Sequence, residues 1–180
     1  MEESGLQPNE TVSEPAPPSP QTVHLIRTAQ ANTLVLSQMA DGKANILMGA
    51  TFVVFSLVVT KAFTTDIRWS MVFLAVTAFA SALFAVLAIT PPMRTKAVPK
   101  DGFNALFFGH FSLVDEETWC DELLEKLGSD EAVYRTMLRD LYQNGQVLHS
   151  RKYRYLALAY RIFLGGLGAT LIIFLLEAAL

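Results

Sequence analysis

The stretch WSMVFLAVTAFASALFAVLAIT, Trp69–Thr90, runs for 22 residues without a charged side chain. A helix rises about 1.5 Å per residue, so a bilayer core of roughly 30 Å takes about 20 apolar residues to cross. Lipid offers a peptide group no hydrogen-bond partner, whereas a helix satisfies its own. The stretch therefore reads as a membrane-spanning helix. Two further apolar runs flank it. Ala44–Thr60 is short, but Lys43 and Lys61 can snorkel toward the head groups and lengthen it. Ile162–Leu176 reaches Leu180 if Glu177 sits at the far interface and Arg161 snorkels at the near one. With 52% hydrophobic and 17% charged residues in a chain of 180, the composition fits an integral membrane protein.

Outside these runs, residues 1–20 carry Glu2, Glu3, Glu10 and Glu14 and five prolines, with no Lys or Arg. A secretory leader needs a basic start, so none is expected. Such a composition cannot bury enough apolar surface to fold, and 1–20 reads as a disordered, acidic, Pro-rich tail in which the Asn9-Glu10-Thr11 sequon is incidental. The single cysteine, Cys120, excludes an internal disulfide and fits a reducing compartment.

Basic residues set the orientation. The connection between spans one and two holds Lys61 and Arg68. The ends of the longer connection hold Arg94, Lys96 and Lys100, then Arg151, Lys152, Arg154 and Arg161. Basic flanks favour the cytoplasmic side. The expected layout is an all-α membrane protein with three transmembrane helices and cytoplasmic helical stalks. Residues 21–43 form a stalk, 44–63 span one, 69–90 span two, 91–154 a cytoplasmic helical region and 155–180 span three. The N-terminus and 91–154 are then cytoplasmic and Leu180 lies on the far side, with Trp69 anchoring span two at the outer interface.

Each long connection carries a helical stripe leading into a span. The first is Leu25, Ala29, Asn32, Leu36, Met39, Lys43 and Ile46. The second is Tyr134, Leu138, Leu141, Gly145, Leu148, Lys152, Tyr155, Ala159 and Ile162, with a kink open near Asn144-Gly145. Two stalks of this kind pack together at the membrane. Lys43 and Lys152 are exceptions within mostly apolar stripes. A packed lysine needs an anion or a carboxylate, or must snorkel. Asp41 and Asp140 are local partners, and a phosphate between the stalks is the alternative. Pro91-Pro92 end span two. Phe103, Phe107, Phe108 and Phe111 are then too dense for an exposed loop, and pack on the stalks, lie at the lipid interface or stack on a planar ligand. Ser112-x-x-Asp115 has the form of a capping box opening a helix that Gly128 closes, and Ser129 or Asp130 caps the next.

No catalytic constellation appears. His24, His110, His149 and Cys120 lack zinc-ligand spacing, and there is no P-loop, dinucleotide turn or nucleophile elbow. The spans hold no central charge for a proton or ion relay. Neither an enzyme nor a bound metal or cofactor is expected. Small-x-x-x-small pairs (Gly165 with Ala169, Gly166 with Thr170, Ala78 with Ala82, Ser81 with Ala85) permit close helix contact, in a pore or in a tight bundle.

Ala40-Asp41-Gly42-Lys43-Ala44 at span one, Asn104-Ala-Leu-Phe-Phe-Gly109 after span two, and Leu138-Arg-Asp-Leu-Tyr142 with Gly145, Val147-Leu148 and Arg151-Lys-Tyr-Arg154 before span three occur in that order. Together they resemble the Pycsar transmembrane effectors of bacterial anti-phage defence, over roughly 24–176. The resemblance implies an effector at the bacterial inner membrane, paired with a pyrimidine cyclase that makes cCMP or cUMP on infection. The effector then impairs the membrane and the cell stops growing or dies before phage matures, an abortive infection. The cytoplasmic connection is too short for a cyclic-nucleotide-binding β-roll, so a site would be assembled from the stalks and the Phe-rich segment, between subunits of a homo-oligomer or within one chain. There Lys43 and Lys152, helped by Arg139, would supply charge to the cyclic phosphate, and Phe107, Phe108 or Tyr153 would stack the base. No nucleic acid is expected as partner. The competing expectation is a membrane scaffold or receptor that anchors a cytoplasmic partner through its stalks.

Overall fold

The computed structural model describes residues 19, 21–63, 68–90 and 103–179. The tail (but for Ser19), the Pro91-Pro92 stop, and Arg94, Lys96 and Lys100 lie outside the described residues. Among the described residues all regular structure is helical. Helix α1 covers Gln21–Ala62, α2 Trp69–Ile89, α3 Phe108–Phe111, α4 Glu116–Lys126 and α5 Asp130–Val147. A π-helical turn over Leu148–Tyr153 joins α5 to α6, Arg154–Ala179.

Among the described residues three helices are long and apolar enough to cross a membrane, and their lengths differ tellingly. The 21 residues of α2 make about 31 Å, one bilayer core. The 42 residues of α1 and the continuous 50 of Asp130–Ala179 make about twice that. The lower halves of both pack on α2, while their upper halves, α1 and α5, pack on each other beyond it.

Cross-contacts give the directions. Gln30 with Asp140, Ser37 with Lys152 and Lys43 with Tyr160 climb together, so α1 and the α5–α6 rod are parallel. Ala88 packs with Leu156, Ala85 with Ala159, and Ser70 bonds Glu177, so α2 is antiparallel to the rod. The core between them is built of small side chains: Ala40, Ala44, Ala85, Ala88 and Ala159 with Leu47 and Leu156. Close approach is possible because those positions carry so little volume. At its tightest point a Cβ on Gly166 would stand 2.6 Å from Thr77 Cβ and Oγ1. Ser81 Oγ donates to the Ala159 carbonyl at 2.9 Å across the same seam. Ser81, Ala85 and Gly166, members of the small-residue pairs, are therefore buried within one chain, while Gly165 faces outward. At the far end Ser70 donates its N–H (3.2 Å) and hydroxyl (2.6 Å) to the Glu177 carboxylate.

Three local expectations change. The stripe of α1 that packs inward is Ile26, Thr33, Ser37, Ala40, Ala44, Leu47 and Thr51, not the larger-residue stripe through Leu25 and Ile46, which are 71% and 72% exposed. Small residues let α1 approach its two neighbours, so they take the contact and the bulky ones face out. The irregularity in the second stalk is not at Gly145, which α5 passes through, but in the π turn that follows. Helix α4 is capped by Asp115, whose carboxylate accepts from Thr118 N–H (2.9 Å) and hydroxyl (2.7 Å), whereas Ser112 ends α3. Those two bonds hold the Asp115 carboxyl below its usual range. Ser129 caps α5, accepting from Ala132 N–H.

Candidate functional site between the paired stalks

Where α1 and α5 pack beyond α2, they leave a cleft of about 270 Å3. Gln30, Thr33 and Ser37 line it from α1, Asp140 and Asn144 from α5, and Lys152 from the π turn. At spacings of three and four residues, each set lies on one face of its helix.

The lower end of the cleft is closed by an ion pair. Lys152 Nζ donates to both Asp41 carboxylate oxygens, at 2.7 and 2.8 Å, and to Ser37 Oγ at 2.8 Å. All three ammonium protons thus have acceptors on α1. The pair is partly exposed, with 24% of the lysine and 40% of the aspartate side chain accessible. The π turn supplies the register that brings Lys152 to α1, and such insertions recur at functional positions in helices.

The upper end is a polar network around Asp140, which is 9% exposed. Its Oδ1 accepts from Asn144 (2.9 Å) and Asn104 (3.3 Å), and its Oδ2 from Gln30 (3.5 Å). Asn104, 1% exposed, also donates to Gln143 Oε1 (3.1 Å) and accepts from Leu106 N–H (3.0 Å). The segment after span two is thereby tied to α5, and Trp119 Nε1 donates to the Ala105 carbonyl (2.7 Å) to bring α4 onto the same assembly. A carboxylate that among the described residues accepts from carboxamides has acceptor capacity to offer a ligand's N–H, and the carboxamides can rotate to follow it.

Of the six residues expected from the sequence, Lys152 lines this cleft. Lys43 does not. It is exposed and lies beside Tyr153, Leu156 and Tyr160, the last of which donates to the Lys43 carbonyl at 3.2 Å. The reason is geometric: Asp41 faces Lys152, and two residues later the helix has turned about 200°. Tyr153 is half-buried and reaches the Leu36 carbonyl (3.4 Å). Arg139 is exposed and donates to the Phe103 carbonyl (3.4 Å), in a separate groove shared with Lys126 and Arg135. Phe107 packs edge-on against the His110 ring (5.1 Å between centroids) and Phe108 against Phe111 (5.7 Å), both outside the cleft. Gln30, Thr33, Ser37 and Asn144 were missed. Their signal was present as a run of polar residues at helical spacing, Gln30-Thr33-Ser37, feeding into Ala40 and Ala44, and as Asp140 and Asn144 one turn apart.

The family model for the Pycsar effector protein domain matches residues 24–178. No curated protein and no solved structure matches the chain.

Proposed function

The chain belongs to the Pycsar effector family, and on that premise we propose that it is a non-enzymatic membrane effector switched by a cyclic pyrimidine mononucleotide bound in the cleft between α1 and α5. The observation that carries this reading is the cleft itself: polar side chains of both stalks meet around about 270 Å3, with a cation at its floor. Asp140 accepts from the base, through the N4 amine of cytosine or the N3–H of uracil, and Asn144 and Gln30 complete the edge. The cyclic phosphate competes with Asp41 for Lys152. An ammonium with all three protons engaged can exchange one anion for another at little net cost, because its hydrogen-bond count is preserved. That exchange releases the π turn from α1, and the rigid α6 carries the shift down the seam with α2.

In this reading a pyrimidine cyclase supplies cCMP or cUMP, no cofactor takes part, and the protein impairs the inner membrane as a homo-oligomer, causing abortive infection. The stalks are cytoplasmic and the Ala179 end of α6 lies on the far side. Labelling of intact cells should modify a cysteine at 65 and spare one at 112, and the reverse would overturn the orientation. A single-chain mass for purified protein with nucleotide in light scattering would remove the oligomer.

The deciding experiment uses purified full-length protein in dye-loaded liposomes, with cCMP, cUMP, cAMP or cGMP added. Leakage with one pyrimidine nucleotide and not with purine nucleotides is the expected result. Binding without leakage would make the protein a receptor, and no binding of any of the four would leave the scaffold.

A further inference from the structure

On the outer side of the π turn and α6, away from the cleft, residues 149–161 present an open face toward the surroundings. His149, Tyr153, Arg154, Leu158 and Arg161 belong to it, at spacings of four, one, four and three that keep them on one face. Its chemistry is graded along the helix. His149 and Arg154 lie toward the stalk end, and Ala157 and Leu158 form an apolar floor between Arg154 and Arg161.

The depth of Arg161 makes this surface unusual. Leu156 packs on Ala88, one residue from the end of α2. Arg161 is five residues further down α6, about 7.5 Å inside the layer that α2 spans. Arg161 and Arg154 are both exposed, and among the described residues neither has an acidic partner within ion-pair distance. Lys152, by contrast, is neutralised by Asp41. A guanidinium keeps its charge at any relevant pH and is costly at this depth without an anion, and its planar fork matches phosphate oxygens. Within a bilayer edge the anion at hand is a lipid phosphate, whose acyl chain continues over apolar surface.

We infer that this face is a binding site for an anionic glycerophospholipid, its phosphate held over Leu158 by Arg154 and Arg161, with His149 at the rim and its acyl chains running on past Arg161 into the layer that α2 spans. Anionic head groups are selected because zwitterionic ones carry their own cation to offset the phosphate. The site requires only that α6 crosses a membrane and is independent of what fills the cleft.

The test is thermal unfolding of the full-length protein in detergent with short-chain phosphatidylglycerol, short-chain phosphatidylcholine or glycerol 3-phosphate. Phosphatidylglycerol should raise the midpoint and the other two should not. The double variant Arg154→Gln/Arg161→Gln should weaken the apparent affinity for phosphatidylglycerol about 10-fold or more, through loss of two charge-assisted contacts. Arg135→Gln, far from the surface, should keep the whole shift. Equal stabilisation by phosphatidylcholine, an unchanged response in the double variant, or an equal effect of glycerol 3-phosphate, which would mark a soluble-anion site, each overturns the inference. Should the double variant not fold, native mass spectrometry of the wild-type protein decides, since equal retention of the two phospholipids is incompatible with the site.

Discussion

On the proposed function, Lys152→Met is expected to weaken the response to cyclic pyrimidine nucleotide about 10–150-fold, the range set by losing one charge-assisted contact to phosphate of about 1.5–3 kcal/mol. Its cost in stability should be small. The Lys152–Asp41 pair is partly exposed, and pairs of that kind contribute about 1 kcal/mol or less. Protein abundance and helicity should therefore stay near wild type while the nucleotide concentration for half-maximal dye leakage rises. A lysine that only braces α1 against the π turn would also give a phenotype, and a swap separates the two roles. Asp41→Lys with Lys152→Asp restores the ion pair with its polarity reversed. If bracing is all that matters, the swap recovers the response. If Lys152 must pass to the nucleotide phosphate, the swap stays as impaired as the single variant. Full recovery would sink the phosphate assignment while leaving the cleft in place.

Gly166→Leu should produce the largest loss of stability. The Cβ alone would sit 2.6 Å from Thr77 Cβ and Oγ1. Thr77 Cβ is fixed to the α2 backbone, so no side-chain rotation relieves the contact and the two helices must part. Overpacking of this kind costs about 1–3 kcal/mol, and here it also strains the nearby Ser81–Ala159 bond. The expected outcome is a strongly reduced membrane level and a lower unfolding midpoint. Gly165→Leu is the matched control. Nothing lies within 4 Å of the Cβ it would add, and its neighbourhood is outward-facing. If the two variants behave alike, the α2–α6 seam is not the tight joint described above.

The three helices able to cross a membrane were legible in the chain because lipid imposes one severe condition, internal hydrogen bonding over about 20 apolar residues, and Trp69–Thr90 meets it without any tertiary information. The motifs at Asn104–Gly109 and Leu138–Tyr142 were legible too, but not their relation. Folding shows that they are one structure, with the Asn104 amide bonded to Asp140 and Gln143. What the chain could not disclose was which face of α1 turns inward. Periodicity gives the angle between residues on a helix but not its origin, and both the stripe through Leu25 and that through Ala40 have helical spacing. Packing chose the smaller residues, because α1 must approach α2 and α6 at once. That choice placed Asp41 on the inner face and Lys43 on the outer, and so separated two lysines that share a sequence pattern. The π turn was equally hidden: a residue gained in the register of Leu148–Tyr153 leaves no compositional mark, yet it brings Lys152 against Asp41 and Ser37. Composition thus determined which segments form helices long and apolar enough to cross a membrane, since burial in lipid depends on segment averages. Tertiary structure alone decided where its polar groups converge, since that depends on the rotation of each helix about its own axis.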